Sequence, residues 1–122
     1  MPRGTVSVEP DRFDLKSAPP DGFVVLRRMP YGKWLHRQEL ALRLKFEGKQ
    51  GKEMAGEMAM ANKSVTVFEF AECVVDHNLT DEADQPLDLT KSSTLDRLDP
   101  QIGNEIGDLI GKLHEVVADE GN

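Results

Sequence analysis

The alternation of apolar and polar positions changes character three times along this chain. "DRFDLK" (Asp11 to Lys16) and "GFVVLRRM" (Gly22 to Met29) are short runs rich in Phe, Val and Leu. They are separated by "SAPPDG", whose two prolines and Asp-Gly pair are turn chemistry, so two small antiparallel strands are predicted. Pro30 closes the second run. "YGKWLHRQEL", Tyr31 to Leu40, places Trp34, Leu35 and Gln38 at helical spacing. In "LALRLKFEG" the period becomes two: Leu40, Leu42, Leu44 and Phe46 alternate with Arg43, Lys45 and Glu47. That is the pattern of a half-buried strand, although Leu, Ala, Lys and Arg all tolerate helix.

From Ser64 a helical period returns. Val67, Phe68, Ala71, Val74 and Val75 recur at three and four residues, and a stop is expected at Asn78. "TDEADQPLDLTKSS" then reads as a polar, proline-bearing loop that ends in a helical turn around "STLDRL". The last helix opens with Asp99 as N-cap and Pro100 in the first helical position. Its apolar stripe is Ile102, Ile106, Leu109, Ile110, Leu113, Val116 and Val117. These elements predict one small α+β domain over residues 1–122: short N-terminal antiparallel strands followed by a mainly helical C-terminal portion. Residues 1–9 are expected as a loose arm, 48–62 as a connector and 119–122 as a frayed tail.

Composition narrows the class. With 122 residues, 39% hydrophobic and 30% charged, the chain has the make-up of a soluble globular domain with one modest core. A single cysteine, Cys73, cannot form an internal disulfide, and no secretory signal opens the sequence, so a reducing cytoplasm is expected. The longest aliphatic or aromatic run, "FVVL", is far shorter than a membrane span. The net charge of −7 is unevenly spread: residues 1–50 carry ten Lys or Arg against six Asp or Glu, and residues 51–122 carry five against sixteen. The halves can attract each other, within one molecule or between copies. Nucleic acid is disfavoured by the overall sign. The one stretch suited to it is "RRMPYGKWLHRQ", where Arg27, Arg28, Lys33 and Arg37 interleave with Tyr31 and Trp34.

Candidate chemistry concentrates in "VVDHNLTDEADQPLDL". A calcium loop begun at Asp76 would need glycine at its sixth position and glutamate at its twelfth; the chain has Asp81 and Leu87 there. Cys73 and His77 lie one helical turn apart, but only His36 and His114 remain to complete a zinc site. The acids are better read as ending a helix and solvating a turn. Cys73 sits among Ala71, Val74 and Val75, the setting of a small buried hydrophobe rather than a nucleophile. With no glycine-rich phosphate cradle and no catalytic constellation, neither an enzyme nor a cofactor or metal site is expected.

Two surfaces are candidates for binding instead. Gly103, Gly107 and Gly111 repeat every four residues beside Ile106 and Ile110. Three glycines inside one helix are costly, at about 1 kcal/mol each relative to alanine. Such a stripe admits a close neighbour, expected first from another helix of the chain and otherwise from a second subunit. A weaker candidate surface comprises Tyr31, Trp34 and the methionines Met54, Met58 and Met60, which can form an adaptable patch or fill a core.

The second half, "VTVFEFAECVVDHNLTDEADQPLDLTKSSTLDRLDPQIGNEIGDLIGKLHE", resembles the C-terminal region of the tail assembly chaperones of long-tailed bacteriophages. The shared features are a helix ending near a D-x-N-L type turn, a "G or D-x-P-L" segment, a short "L-x-x-L" turn and a last helix opened by Pro. "GFVVLRRMPYGKWLHRQELALRL" resembles their N-terminal part, where a "V-x-L-R" strand precedes a "YG-x-x-L-x-R" helix. The likeness spans roughly residues 10 to 117. It departs at Ala83-Asp84-Gln85, where the pattern leads one to expect a glycine, and Gly48 to Asn62 has no counterpart. The resemblance implies a non-enzymatic role in the host cell cytoplasm: holding the tape measure protein soluble while the tail tube assembles, with self-association. The tail tube protein is a further candidate partner. The alternative is a virion structural component, a head–tail connector or minor tail protein.

Overall fold

The computed structural model describes residues 4–6, 9–47 and 52–115, with backbone alone for 43–47 and 52–62. Among the described residues the fold is α+β: a three-stranded antiparallel sheet and four helices. β1 (Asp11–Asp14) and β2 (Phe23–Leu26) form the hairpin that the turn chemistry predicts, with Phe13 opposite Val24. Its loop closes through Leu15 N–H to the Gly22 carbonyl and Gly22 N–H to the Ala18 carbonyl, both at 2.8 Å, and holds a cis Pro19-Pro20 bond. Gly22 is obligatory here. A Cβ at that position would lie 2.4 Å from the Ala18 carbonyl oxygen and 2.5 Å from the Ala18 Cβ.

The third strand is a correction to the sequence pattern. The helix from Ser64 does not continue to Asn78; α2 (Lys52–Cys73) passes directly into β3 (Val74–His77), which pairs antiparallel with β2. Helical spacing of Val74 and Val75 is local, whereas the free edge of β2 offers a ladder that two β-branched residues accept readily. The junction is clamped from outside. Arg27 N–H donates to the Cys73 carbonyl at 2.9 Å, and Arg27 Nε–H donates to the Glu72 carbonyl at 2.8 Å. These bonds satisfy carbonyls that the end of a helix leaves open, and they place a cation where the helix dipole favours one. At the other end of β3, the Asn78 side chain accepts from Phe23 N–H and donates to the Asp21 carbonyl. Between Val25 and Leu26 the pairing skips Val75, a bulge that leaves this valine half exposed on the sheet edge.

A second correction concerns Leu40 to Phe46. The period-two stretch is not a strand: α1 (Tyr31–Glu47) runs through it without a break. The helix starts where Lys33 and Trp34 N–H groups reach the Pro30 carbonyl at 3.0 Å, and nothing in "LALRLKFE" ends it. Residues 52–62, expected as part of a connector, form the first half of α2; residues 48–51 and the C-terminal tail lie outside the described residues. α3 (Ser92–Arg97) falls where expected, and α4 (Pro100–His114) opens where expected but ends at His114, with Glu115 extended; Val116 and Val117 of the expected stripe lie outside the described residues. Asp99 caps α4 by accepting from Gln101 N–H at 2.8 Å.

The core lies between the sheet and the helices. Val24 and Leu26 point from alternate positions of β2 onto Phe70 and Cys73 of α2 and Ile106 and Ile110 of α4; all six are 1% exposed or less. Two contacts tie α4 to the rest of the fold. Near its middle, the Glu105 carboxylate accepts from Lys16 N–H (2.9 Å), Ser17 N–H (2.8 Å) and the Ser17 hydroxyl (2.5 Å). At its end, His114 Nε2 accepts from Met29 N–H at 2.8 Å. A backbone N–H can only donate, so the ring proton must sit on Nδ1, which donates to the Ile110 carbonyl at 2.8 Å. The imidazole also stacks on Trp34, with centroids 5.4 Å apart and planes 9° from parallel.

Candidate functional site

The acidic segment after β3 is organised by its own carboxylates. Asp81 Oδ1 accepts from Ala83 N–H (2.8 Å) and Gln85 N–H (3.0 Å), and its carboxyl is held below its ordinary range, chiefly by these two bonds. Asp88 Oδ1 accepts from the Thr90 hydroxyl (2.5 Å) and Thr90 N–H (3.0 Å), which lower its pKa in the same way. Leu87 N–H to the Leu79 carbonyl closes the loop at its base. Asp84 adopts a left-handed conformation, φ 60°. It stands at the very turn where the family pattern led to the expectation of a glycine. Such a backbone suits glycine best but is tolerated by Asp.

Cys73 and His77 are otherwise occupied. Cys73 is fully buried. Its thiol is pushed up to about 12, first by burial and then by the nearby Glu69 and Glu72 carboxylates. His77 Nδ1 accepts from Leu79 N–H at 3.0 Å. Among the described residues no three His, Cys, Asp or Glu side chains are grouped as metal ligands.

The basic and aromatic stretch from Arg27 to Arg37 keeps Arg27, Arg28, Tyr31 and Lys33 exposed, but three of its cations engage α2. Arg37 Nε pairs with Glu69 at 2.7 Å, with both side chains mostly covered, and its guanidinium lies 5.0 Å from the Trp34 ring centroid. Lys33 Nζ is 3.7 Å from Glu72, and Arg27 is engaged at the end of α2. The opposite charges of the two halves of the chain thus meet within one molecule at the α1–α2 seam.

α1 has a second, outward face. Tyr31, Leu35 and Leu42 stand on one line of the helix, separated by four and seven residues, and are 74%, 46% and 49% exposed. Within Tyr31–Leu42, α1 has no fully buried side chain. Leu35 and Gln38, grouped with Trp34 by spacing, face water, while Trp34 alone of the three packs inward. Beside this helix an open groove of about 450 Å³ is lined by Leu40, Val67, Phe68 and Ala71. Met54, Met58 and Met60 belong to the part of α2 whose side chains lie outside the described residues.

The glycine stripe of α4 separates from its isoleucines. Ile106 and Ile110 are wholly buried in the core and present no surface. Among the described residues, the neighbour first expected for the glycines, a close-packed helix of the same chain, is not found against Gly107 or Gly111. A Cβ at Gly107 or Gly111 would meet nothing within 4 Å, and one at Gly103 would make an ordinary 3.5 Å contact with Leu98. The sequence reading also missed a cleft under the acidic loop, where Leu79 and Leu87 face Leu98 and Ile102. Its walls come from three separate segments, so no local spacing signals it. Comparison with protein-family models, curated proteins and solved structures gives no match.

Proposed function

We propose that this protein is a tail assembly chaperone of long-tailed bacteriophages, binding the tape measure protein and keeping it soluble in the host cytoplasm while the tail is built. The binding half of this reading is supported by one observation: α1 holds three large apolar side chains, Tyr31, Leu35 and Leu42, toward water on a single line, uncovered among the described residues. Exposed apolar surface of this kind suits docking of another apolar face. The viral half rests on the resemblance across residues 10 to 117. No chemistry is assigned to the chain itself.

The test is co-expression with a phage tape measure protein. That protein is expected to move from the insoluble to the soluble fraction and to co-purify with this chain. Persistent insolubility would sink the proposal. Mass spectrometry of purified particles is expected to find this chain missing; its presence there would replace the proposal with a virion structural component.

A further inference from the structure

We infer that the cleft beneath the acidic loop is a docking site for a basic amphipathic helix of a partner protein. This deepens the proposed chaperone role by adding, apart from the α1 line, a second contact with its own chemistry, and it rests on that role only for the partner's identity. The cleft has a volume of about 620 Å³. That lies within the roughly 300–1,000 Å³ of small-molecule pockets, so the cleft would receive side chains of a docked helix rather than the helix itself. Its floor is apolar: Leu79 and Leu87 from the two arms of the loop, Leu98 from the α3–α4 corner and Ile102 from the first turn of α4. Leu87, Leu98 and Ile102 are only partly covered by the core, so apolar surface remains to be buried.

The rim decides the charge of the occupant. Among the described residues, Glu82, Asp81 and Asp99 line the cleft against one cation, Arg97. Asp81 and Asp99 each commit one carboxylate oxygen, Oδ1, to backbone N–H groups, and Glu82 is exposed. The bias extends outward: residues 76–99 carry seven Asp or Glu against two Lys or Arg, a net of −5. An acidic ligand would meet like charge here. A helix presenting Leu or Ile at i and i+4, flanked by Lys or Arg, satisfies both floor and rim. This differs from the α1 line of Tyr31, Leu35, Gln38 and Leu42, which carries no carboxylate.

The experiment uses the full chain, methyl-labelled for NMR, and two synthetic fifteen-residue amphipathic helices with the same leucines, one flanked by lysines and one by glutamates. The lysine peptide is expected to shift the methyl signals of Leu79, Leu87, Leu98 and Ile102 and to bind about ten-fold more tightly than the glutamate peptide at low salt, the gap closing as salt is added. Ile102→Ala should weaken binding by reducing the floor. Because that substitution also touches the core, Glu82→Lys serves as the second variant. It alters an exposed side chain, is expected to leave the melting temperature unchanged, and should remove most of the preference for lysine.

Equal binding of the two peptides, or shifts confined to Leu35 and Leu42 on α1, would overturn the inference. So would cleft signals that shift with the chain's own concentration before peptide is added, since a second copy would then be the occupant. The two proposals fail separately. Cleft variants that still solubilise the tape measure protein would remove this site and leave the chaperone role; peptide binding at the cleft without rescue of that protein would do the reverse.

Discussion

Replacing Gly107 and Gly111 together by alanine should make this protein more stable, and the size of the effect follows from the structure. Both glycines lie inside α4, where each costs about 0.8–1.0 kcal/mol relative to alanine because its backbone is freer in the unfolded chain. An added methyl group is normally limited by the space it enters, and here a Cβ at either position meets nothing within 4 Å. No clash offsets the gain, so the pair should contribute about 2 kcal/mol. Unfolding entropy of about 2.1 cal/mol/K per residue over 122 residues is roughly 0.26 kcal/mol/K, so the melting temperature should rise by about 8 °C. Thermal melts followed by circular dichroism measure the shift, and urea titration should show a higher midpoint with an unchanged slope. An unchanged or lowered melting temperature would refute the reasoning, because it would mean that some contact does need the bare backbone. The same variant reports on function. If the stripe receives a partner's backbone, the stabilised protein should bind less well than the parent.

Four further outcomes are expected. Gly22→Ala should destabilise the fold by about 1–3 kcal/mol in chemical denaturation, since the new Cβ would sit against the Ala18 carbonyl in a closed loop. Glu105→Ala should cost about 1–2 kcal/mol at neutral pH through loss of the bonds to Lys16 and Ser17. The Ser17 hydroxyl foremost, then the two backbone N–H groups, hold the Glu105 carboxyl below its ordinary 4.5; its contribution is therefore full above that pH and lost as pH falls through the lowered value, so parent and variant melting temperatures should converge in acid. Asp84→Val should cost about 1–2 kcal/mol while Asp84→Gly is tolerated, because only the former opposes the left-handed backbone, and urea midpoints of the two decide it. His114→Ala should cost about 2–3 kcal/mol in the same assay, leaving the Met29 N–H without its acceptor and Trp34 without its stacking partner.

What the sequence reveals here depends on whether a signal is local. The β1–β2 hairpin and α4 are written in consecutive residues, "SAPPDG" and Asp99-Pro100, and they are found as written. β3 is not: nothing near Val74 announces that β2, nearly fifty residues earlier, has a free edge. The alternation at Leu40 to Phe46 misleads for a different reason. Pattern reading assumes that apolar residues go inside, whereas Leu42 stays in water. Of the acids read as ending a helix and solvating a turn, Asp81 and Asp84 do lie in the loop after β3, where Asp81 binds backbone N–H groups, whereas Asp76 lies within β3 opposite Val25 and no helix ends there. The glycine stripe is visible by its period, but only the fold shows that, among the described residues, nothing packs closely on Gly107 or Gly111.

Cys73 sits at the centre of the packing, unpaired and shut away from solvent at the point where α2 becomes β3. A maleimide or disulfide reagent has no route to its sulfur until the sheet and helices part. The thiol is therefore a native clock for opening of the whole interior, readable without adding a label by mutation. Any ligand that tightens the fold should slow its modification in proportion to how far it suppresses that opening.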